Sequence, residues 1–454
     1  MKWYNVFTIL FLIMAANFGI LTAQEDNSRL NIMGKFSTDQ RFLTQNENKW
    51  SWNENRLNIQ LESRKKGEAR FFSEVWLRSF GFPGLTHISQ LSCKDLTSPY
   101  NLDIREAYVD LYGFLTENLD IRIGRQRLAW GRGDVINPTN NLDPYDLEDI
   151  WDFGRYHGSD GIKMTYYIRD WFIEGAFFPF FRPATLPVGE LTSAFSQDIS
   201  LPAGLLLKDF RDSLLLPDVN LGESGNYGIK LGGFLLGYDV SVSYVYGRSG
   251  LPVPDMNIIT PVDLIGGVNL KSFLYYPRMN ILGADLAGAI GSVGIWSEIG
   301  AFFPDEKLTM TVDLSSLGIF PPDSTILDKE IYLKYLIGAD YTFRDGSYVN
   351  LQFLHGFFHE MGRDNLNDYF IFSFEKKLFD DKLKLNPVTG AFIVSDWKNL
   401  SSGYALIYSP SITYLPNDNA EIMLGVRVLE GKGDNMFVRL IDKDEVFVKF
   451  IYSF

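Results

Sequence analysis

The chain has 454 residues, a formal net charge of −14, 46% hydrophobic and 15% aromatic residues, 40 glycines, four histidines and one cysteine. The acidic balance excludes non-specific nucleic-acid binding, which needs a basic face. One cysteine excludes an intramolecular disulfide framework, and four histidines leave little material for a zinc site. A mean hydropathy of −0.05 is too polar for a bundle of membrane helices.

At the N-terminus, Lys2 precedes an apolar run from Val6 to Leu21, followed by Thr22-Ala23-Gln24 and then Glu25 and Asp26. A basic start, a short apolar stretch and small residues at its end read as a secretory signal peptide, 1–23, cleaved after Ala23. Residues 24–454 are expected to form a single domain. No later segment offers about 18 consecutive apolar residues, so no transmembrane helix is expected.

Period-2 runs then recur near 30–37, 55–63, 68–79, 102–112, 118–127, 159–168, 170–178, 225–235, 237–247, 277–290, 292–303, 330–343, 346–356, 366–378, 381–393, 402–414, 417–429 and 445–454. Most have about 10 residues, the length of a tilted membrane-spanning strand. Tight turns such as Arg169-Asp170, Leu236-Gly237, Gly291-Ser292 and Phe379-Asp380-Asp381 alternate with long connections at 80–101, 128–158, 179–224, 248–276, 304–329 and 430–444. Alternate strand faces are apolar and polar: Leu57, Ile59 and Leu61 oppose Arg56, Asn58, Gln60 and Glu62. A soluble antiparallel sheet shows the same alternation. The combination of signal peptide, no disulfides, about 18 strands and loop length segregated by parity decides for an all-β, antiparallel, up-and-down transmembrane barrel of about 18 strands (range 16–18), with short periplasmic turns and long outer loops.

Val446, Val448, Phe450, Tyr452 and Phe454 share one face of the last run. That pattern resembles the signal read by the barrel-assembly machinery of Gram-negative outer membranes. The expected location is therefore the cell outer membrane. The expected partners are its lipid and lipopolysaccharide, that machinery and an inner-membrane export partner of unspecified kind.

The stretch Leu119-Asp120-Ile121-Arg122-Ile123-Gly124-Arg125-Gln126-Arg127-Leu128-Ala129-Trp130-Gly131 resembles the GRQ…WG segment of a porin-like outer-membrane family of unknown function, and alginate-export-type barrels carry a similar GRQ segment. Ile136-Asn137-Pro138 is similar to that family's INP loop start, and Phe177 to Pro187 to its proline- and aromatic-rich loop. Arg105-Glu106-Ala107-Tyr108-Val109 is similar as well. The resemblance covers about 100–187. It implies a barrel lineage and a channel or porin-like transporter for small or hydrophobic and amphipathic solutes. It names no substrate. The alternative is a non-transport outer-membrane component, an export or assembly partner or a surface-binding barrel.

Strand parity places Arg122, Gly124 and Gln126 opposite Ile121 and Ile123, and Glu106, Tyr108 and Asp110 opposite Ala107 and Val109. An arginine facing lipid at mid-depth costs about 2–4 kcal/mol, so the polar sets are expected inside. Arg122 and an acidic neighbour can then pair across the hairpin, as a structural ladder or as a substrate contact. Glu74, Arg78, Asp285, Glu298, Lys334, Asp340 and Arg427 complete the expected channel lining. Arg125 and Arg127 fall on the outward parity, to meet headgroup phosphates unless a bulge changes the register.

Two loops could constrict the pore. The 137–158 segment is acidic and aromatic, with Asp143, Asp146, Asp149 and Trp151 as constriction residues and a short helix expected over Pro144–Trp151. Folded inward, it would add a ring of carboxylates and a mild cation preference. Its oxygen ligands are also of the kind that calcium takes, but the spacing is not that of an EF-hand, and neither metal nor cofactor is expected. In 179–224, leucines at 205, 206, 207, 214, 215 and 216 read as an amphipathic helix, with Leu205 and Phe210 as gate residues of a gate, plug or rim. No nucleophile elbow, P-loop or His-Glu-x-x-His occurs. No enzyme is expected; a loop-built site would have to use His87, His157, His355 or His359.

Overall fold

The alternating runs become a ring of strands because each tight turn lets one run fold back on the next, and side chains at every second position then share a face. The computed structural model describes residues 29–454 except 46–47, 66–67, 196–200, 202–203, 264, 319 and 321. The expected signal peptide lies outside the described residues.

The strands of the ring are β1 (Arg29–Leu43), β2 (Trp50–Lys65), β3 (Ala69–Phe80), β4 (Tyr100–Leu111), β5 (Leu119–Gln126), β6 (Ser159–Ile168), β7 (Trp171–Phe178), β8 (Asn226–Leu235) and β9 (Tyr238–Arg248). They continue as β10 (Arg278–Ile290), β11 (Val293–Pro304), β12 (Tyr332–Thr342), β13 (Tyr348–His355), β14 (Asp368–Leu378), β15 (Leu383–Val394), β16 (Tyr404–Tyr408 and Ser411–Asn417), β17 (Ala420–Lys432) and β18 (Glu445–Ser453). The sheet has 19 ladder segments; the two pieces of β16 share the neighbours β15 and β17, which leaves 18 strands. All neighbours are antiparallel. β1 pairs with β18 from Lys35↔Ser453 to Leu43↔Glu445, and the barrel closes. Every expected strand is present, and β1 and β2 run several residues further toward the long-loop end.

The turn chemistry is visible in the backbone. Leu236 and Gly237, between β8 and β9, both have positive φ (53° and 91°). That conformation matches the right-handed twist of the flanking strands.

The outward face is apolar around the ring. Leu77, Ile123, Ile229, Leu282, Ile337, Leu351 and Leu424 are all exposed. An exposed apolar band of this extent needs lipid to cover it.

Three of the long connections build a second sheet beyond the barrel. Its order is Ser324–Leu327, Leu308–Asp313, Val253–Pro261, Gly267–Tyr275 and Leu206–Leu215. The segment expected to be an amphipathic helix is thus a strand. Leu206–Leu215 pairs in parallel with Gly267–Tyr275, and Leu205 packs beside Ile259, Val268, Leu270 and Leu314. Leucines in two clumps around a charged centre satisfy a helical period locally. The backbone bonds to a strand 60 residues away decide otherwise.

Candidate functional site: a strap across the lumen

The chain between β5 and β6, residues 127–158, enters the barrel and crosses it. It forms no helix over 144–151. Isolated bridges, Tyr145↔Tyr156 and Asp146↔Thr185, replace it. Its two faces differ in character because the two walls differ.

On the far wall, Glu298 of β11 receives the strap's main chain. The N–H groups of Arg132, Gly133 and Thr139 donate to its carboxylate, and Thr139 Oγ1 adds a bond of 2.8 Å. Arg132 Nε donates to Asp285 of β10 at 3.2 Å. Lys230 and Ser241 hold the other side of Asp285. Asn350 of β13 donates to Asp134 at 2.7 Å. Gly131 has φ +110°, and a Cβ there would lie 2.7 and 2.8 Å from the two carboxylate oxygens of Glu298. The WG and INP residues are therefore the ones that let the backbone wrap a carboxylate.

The strap then returns along the near wall, which is lined with arginines. Arg41 of β1 pairs with Asp149, Nη1 to Oδ1 at 2.8 Å. Arg78 of β3 holds Glu148. Arg105 of β4 donates to Asp146 at 2.7 Å and to the Tyr156 carbonyl at 2.7 Å. Arg155, from the strap itself, adds 2.9 Å to Asp146. Trp76 lies between Arg56 and Arg105, each 4.2 Å from its ring, with Arg155 at 5.1 Å. Arg427 of β17 stacks 4.4 Å over Trp151 and pairs with Glu445 of β18. Despite burial, these arginines hold the Asp146 and Asp149 carboxyls well below the usual carboxylate range. Asp143 is different. Burial pushes its carboxyl up, and its partners are the N–H groups of Leu128 and Ala129 and the Asn140 amide.

The carboxylates expected of an inward acidic loop are present, but Asp146, Glu148 and Asp149 are neutralised in place by arginines. The premise of a cation-selective ring is corrected accordingly.

The strap's apolar side meets an apolar wall. Ile136 and Ile150 pack with Trp296, Leu336, Leu354, Tyr369, Ile393, Ile407 and Leu429, which stand on β11 to β17. Phe357 and Phe437 of neighbouring loops and Leu191 and Ala194 of the Gly189–Phe195 turn join this core.

The expected lining residues face inward. Arg122 bonds Asp110 at 2.6 Å and sits 3.9 Å over the Tyr108 ring. Glu74 accepts from Asn58 and Trp76, and Glu106 accepts from Arg127 at 2.8 Å. Gln126 is fully buried, donating to the Gly161 carbonyl. Tyr348 donates to Asp340 at 3.0 Å. Lys334 donates to the Phe357 and Phe358 carbonyls. Asp143, Asp146, Asp149 and Trp151 are on the strap. Leu205 and Phe210 are not; both belong to the outer sheet.

Sequence parity missed Arg105 because β4 carries a bulge. Glu74 faces Glu106 while Val75 faces Ile104, so Arg105 is the extra residue and both it and Glu106 turn inward. Arg127 also turns inward because β5 ends at Gln126 and Ala129 takes a positive φ of 50°. Arg125 keeps the outward parity and bonds Asp160. Arg41 lies beyond the run at 30–37, because β1 continues to Leu43; the alternation Ser37, Asp39, Arg41 is its mark in the sequence.

The histidines do not form a hydrolytic site. Arg105 donates to His157 Nδ1 at 3.1 Å. A guanidinium only donates, so the ring proton is on Nε2 and goes to Thr185 Oγ1, 2.7 Å away. That imidazole cannot take a proton from Thr185. Burial lowers its pKa to about 4. His355 pairs with Asp368, and His359 is buried among Phe195, Phe357 and Phe358. His87 stands before an exposed turn.

Beside the strap, toward β8 to β12, a narrow cleft of about 70 Å³ remains. Asn137, Asn141 and Tyr145 form its strap side. Met279, Phe302, Tyr332, Phe358 and Met361 give apolar surface, with Arg182, Arg248 and Lys334 among them.

No family model matches the chain, and no curated protein matches its sequence. Among solved structures, it is similar to OccAB1 of Acinetobacter baumannii, with 10% identity and a TM-score of 0.51 over 95% of this chain and 99% of that one. OmpF of Salmonella typhi, in a complex with daunomycin, gives 11% identity and a TM-score of 0.42 over 95% and 99%. A loop-deleted OmpT, an outer membrane protein of Vibrio cholerae, gives 8% and 0.43 over 94% and 100%. The likeness to OccAB1 is one of fold, a closed antiparallel outer-membrane-type barrel.

Proposed function

We propose that the chain is an outer-membrane channel for small amphipathic solutes, those with an apolar body and an anionic group. The observation that carries this reading is the cleft left beside the strap. Its apolar side chains suit the body of such a solute, and Arg182 and Lys334, whose hydrogen bonds go to main-chain carbonyls, suit its charge, while Arg248 is paired with Glu223. A barrel of 16–18 strands has room for water, and the strap narrows that room. Two of the segments similar to the GRQ porin-like family, Trp130-Gly131 and Ile136-Asn137-Pro138, lie in the strap.

Conductance of the purified protein in planar bilayers tests the proposal. Open-channel current is expected, reduced by millimolar octanoate and much less by a neutral sugar of similar size. Folded, heat-modifiable protein that carries no current would favour the non-transport reading, a binding or assembly component.

A further inference from the structure

The outer sheet ends in an open edge. Among the described residues, Leu206–Leu215 pairs on one side only, with Gly267–Tyr275. Ten residues of strand with unused backbone groups and exposed Leu206, Leu207, Phe210, Leu214 and Leu215 make a template for another strand. The charges say which strand. The centre reads Lys208-Asp209-Phe210-Arg211-Asp212. An antiparallel copy of the same strand, centred on Phe210, sets Lys208 opposite Asp212 and Asp209 opposite Arg211. Phe210 meets itself, and Leu206 meets Leu214. Every charge faces its opposite, and the two-fold axis repeats each pair; Asp209 and Arg211 share a face of the regular part of the strand, while Lys208 is the extra residue of a bulge opposite Val268 and Asn269. In the single chain Asp209 bonds Arg211 at 2.8 Å and Lys208 lies 3.8 Å from Asp263; across a dimer Asp209 and Arg211 re-form their pair between copies, and Lys208 exchanges Asp263 for Asp212.

We infer that the Leu206–Leu215 edge is a homodimer interface, in which two copies of this chain join their outer sheets by antiparallel pairing about Phe210.

Cysteine cross-linking in intact membranes tests this. Residues directly opposite in an antiparallel pair have Cα atoms about 4.5–5.5 Å apart, within disulfide range. With the exposed Cys93 replaced by Ser, Phe210→Cys should give a disulfide-linked species of twice the chain mass under mild oxidation. Leu214→Cys alone should not, because its opposite number is Leu206; the double variant Leu206→Cys/Leu214→Cys should. Added to Phe210→Cys, the pair Asp209→Lys/Asp212→Lys sets like charges opposite each other and should cut the cross-linked yield on the order of tenfold. Inverting all four charges (Lys208→Asp, Asp209→Lys, Arg211→Asp, Asp212→Lys) should restore it. Heat-modifiable migration confirms that each barrel is folded. A cross-link to a chain of different mass, an equal yield from Leu214→Cys, or no product from folded Phe210→Cys protein would each overturn the assignment.

Discussion

Glu298 and Gly131 fit each other across the lumen: the carboxylate of one accepts the main-chain N–H groups that follow the other, and the bare Cα of Gly131 leaves the carboxylate its room. A side chain at 131 would collide with the group that holds the strap, and its φ of +110° disfavours any other residue.

The first prediction concerns this anchor. Gly131→Ala and Glu298→Ala should each release the far end of the strap while the barrel stays closed. Hydrogen bonds to a charged group contribute about 1.5–3 kcal/mol each, so loss of the set suffices to free it. Single-channel recordings should show larger and noisier conductance in both variants. Unchanged currents from folded protein would mean that the anchor does not control the pore.

Arg105 offers a second test. Its removal leaves Asp146 buried with Arg155 as its main partner and strips Trp76 of one flanking guanidinium. Breaking one member of a buried pair costs about 3–5 kcal/mol. Arg105→Ala should make the 144–157 segment cleavable by protease in folded protein, and adding Asp146→Asn should recover part of the loss in a double-mutant cycle. Additive effects would argue against the pairing.

How far this constellation was readable beforehand depends on geometry rather than composition. The eighteen strands were legible because each carries its own alternation and its own turn chemistry, as at Leu236-Gly237. Glu298, Asp285 and Arg78 were legible because parity alone puts them inside. Arg105 was not, since one bulge residue inverts parity and leaves no mark in composition. The strand at Leu206–Leu215 was not, since its partner is distant in sequence. The pairing of Asp146, Glu148 and Asp149 with arginines of β1, β3 and β4 was not, since each partner is at least 41 positions away.

The third prediction is a pH dependence. His157 is neutral in the strap, with a pKa of about 4 against 6.5 for an exposed imidazole. A released strap therefore binds the proton more readily than the docked one. Docking is fully stabilised above about pH 6.5 and weakens as pH falls toward 4, by at most about 3 kcal/mol. Protonation also removes the acceptor that Arg105 uses. Channel noise or protease sensitivity of the strap should rise over that interval, and His157→Gln should flatten the profile. A wild-type profile already flat between pH 6.5 and 4 would contradict the assignment.

The fourth concerns selectivity. Arg78 neutralises Glu148, with Nη2 to Oε1 at 2.8 Å. Arg78→Ala should uncover a negative charge at the strap and move the reversal potential in a salt gradient toward cation preference relative to the unmodified protein. Arg78→Lys should move it much less. A shift toward anions would show that Glu148 does not face the conducting path.

The strap also touches both sides of the junction where the first and last strands meet. Asp149 is tied to Arg41 on β1, while Trp151 lies under Arg427 on β17, which pairs with Glu445 on β18. It acts as an internal staple over the seam of the barrel. Both sets of contacts can be held at once only when β1 and β18 stand side by side, so closing the seam completes the constriction. By the same token, a ring prised apart sideways at β1 and β18 must surrender its constriction as it opens.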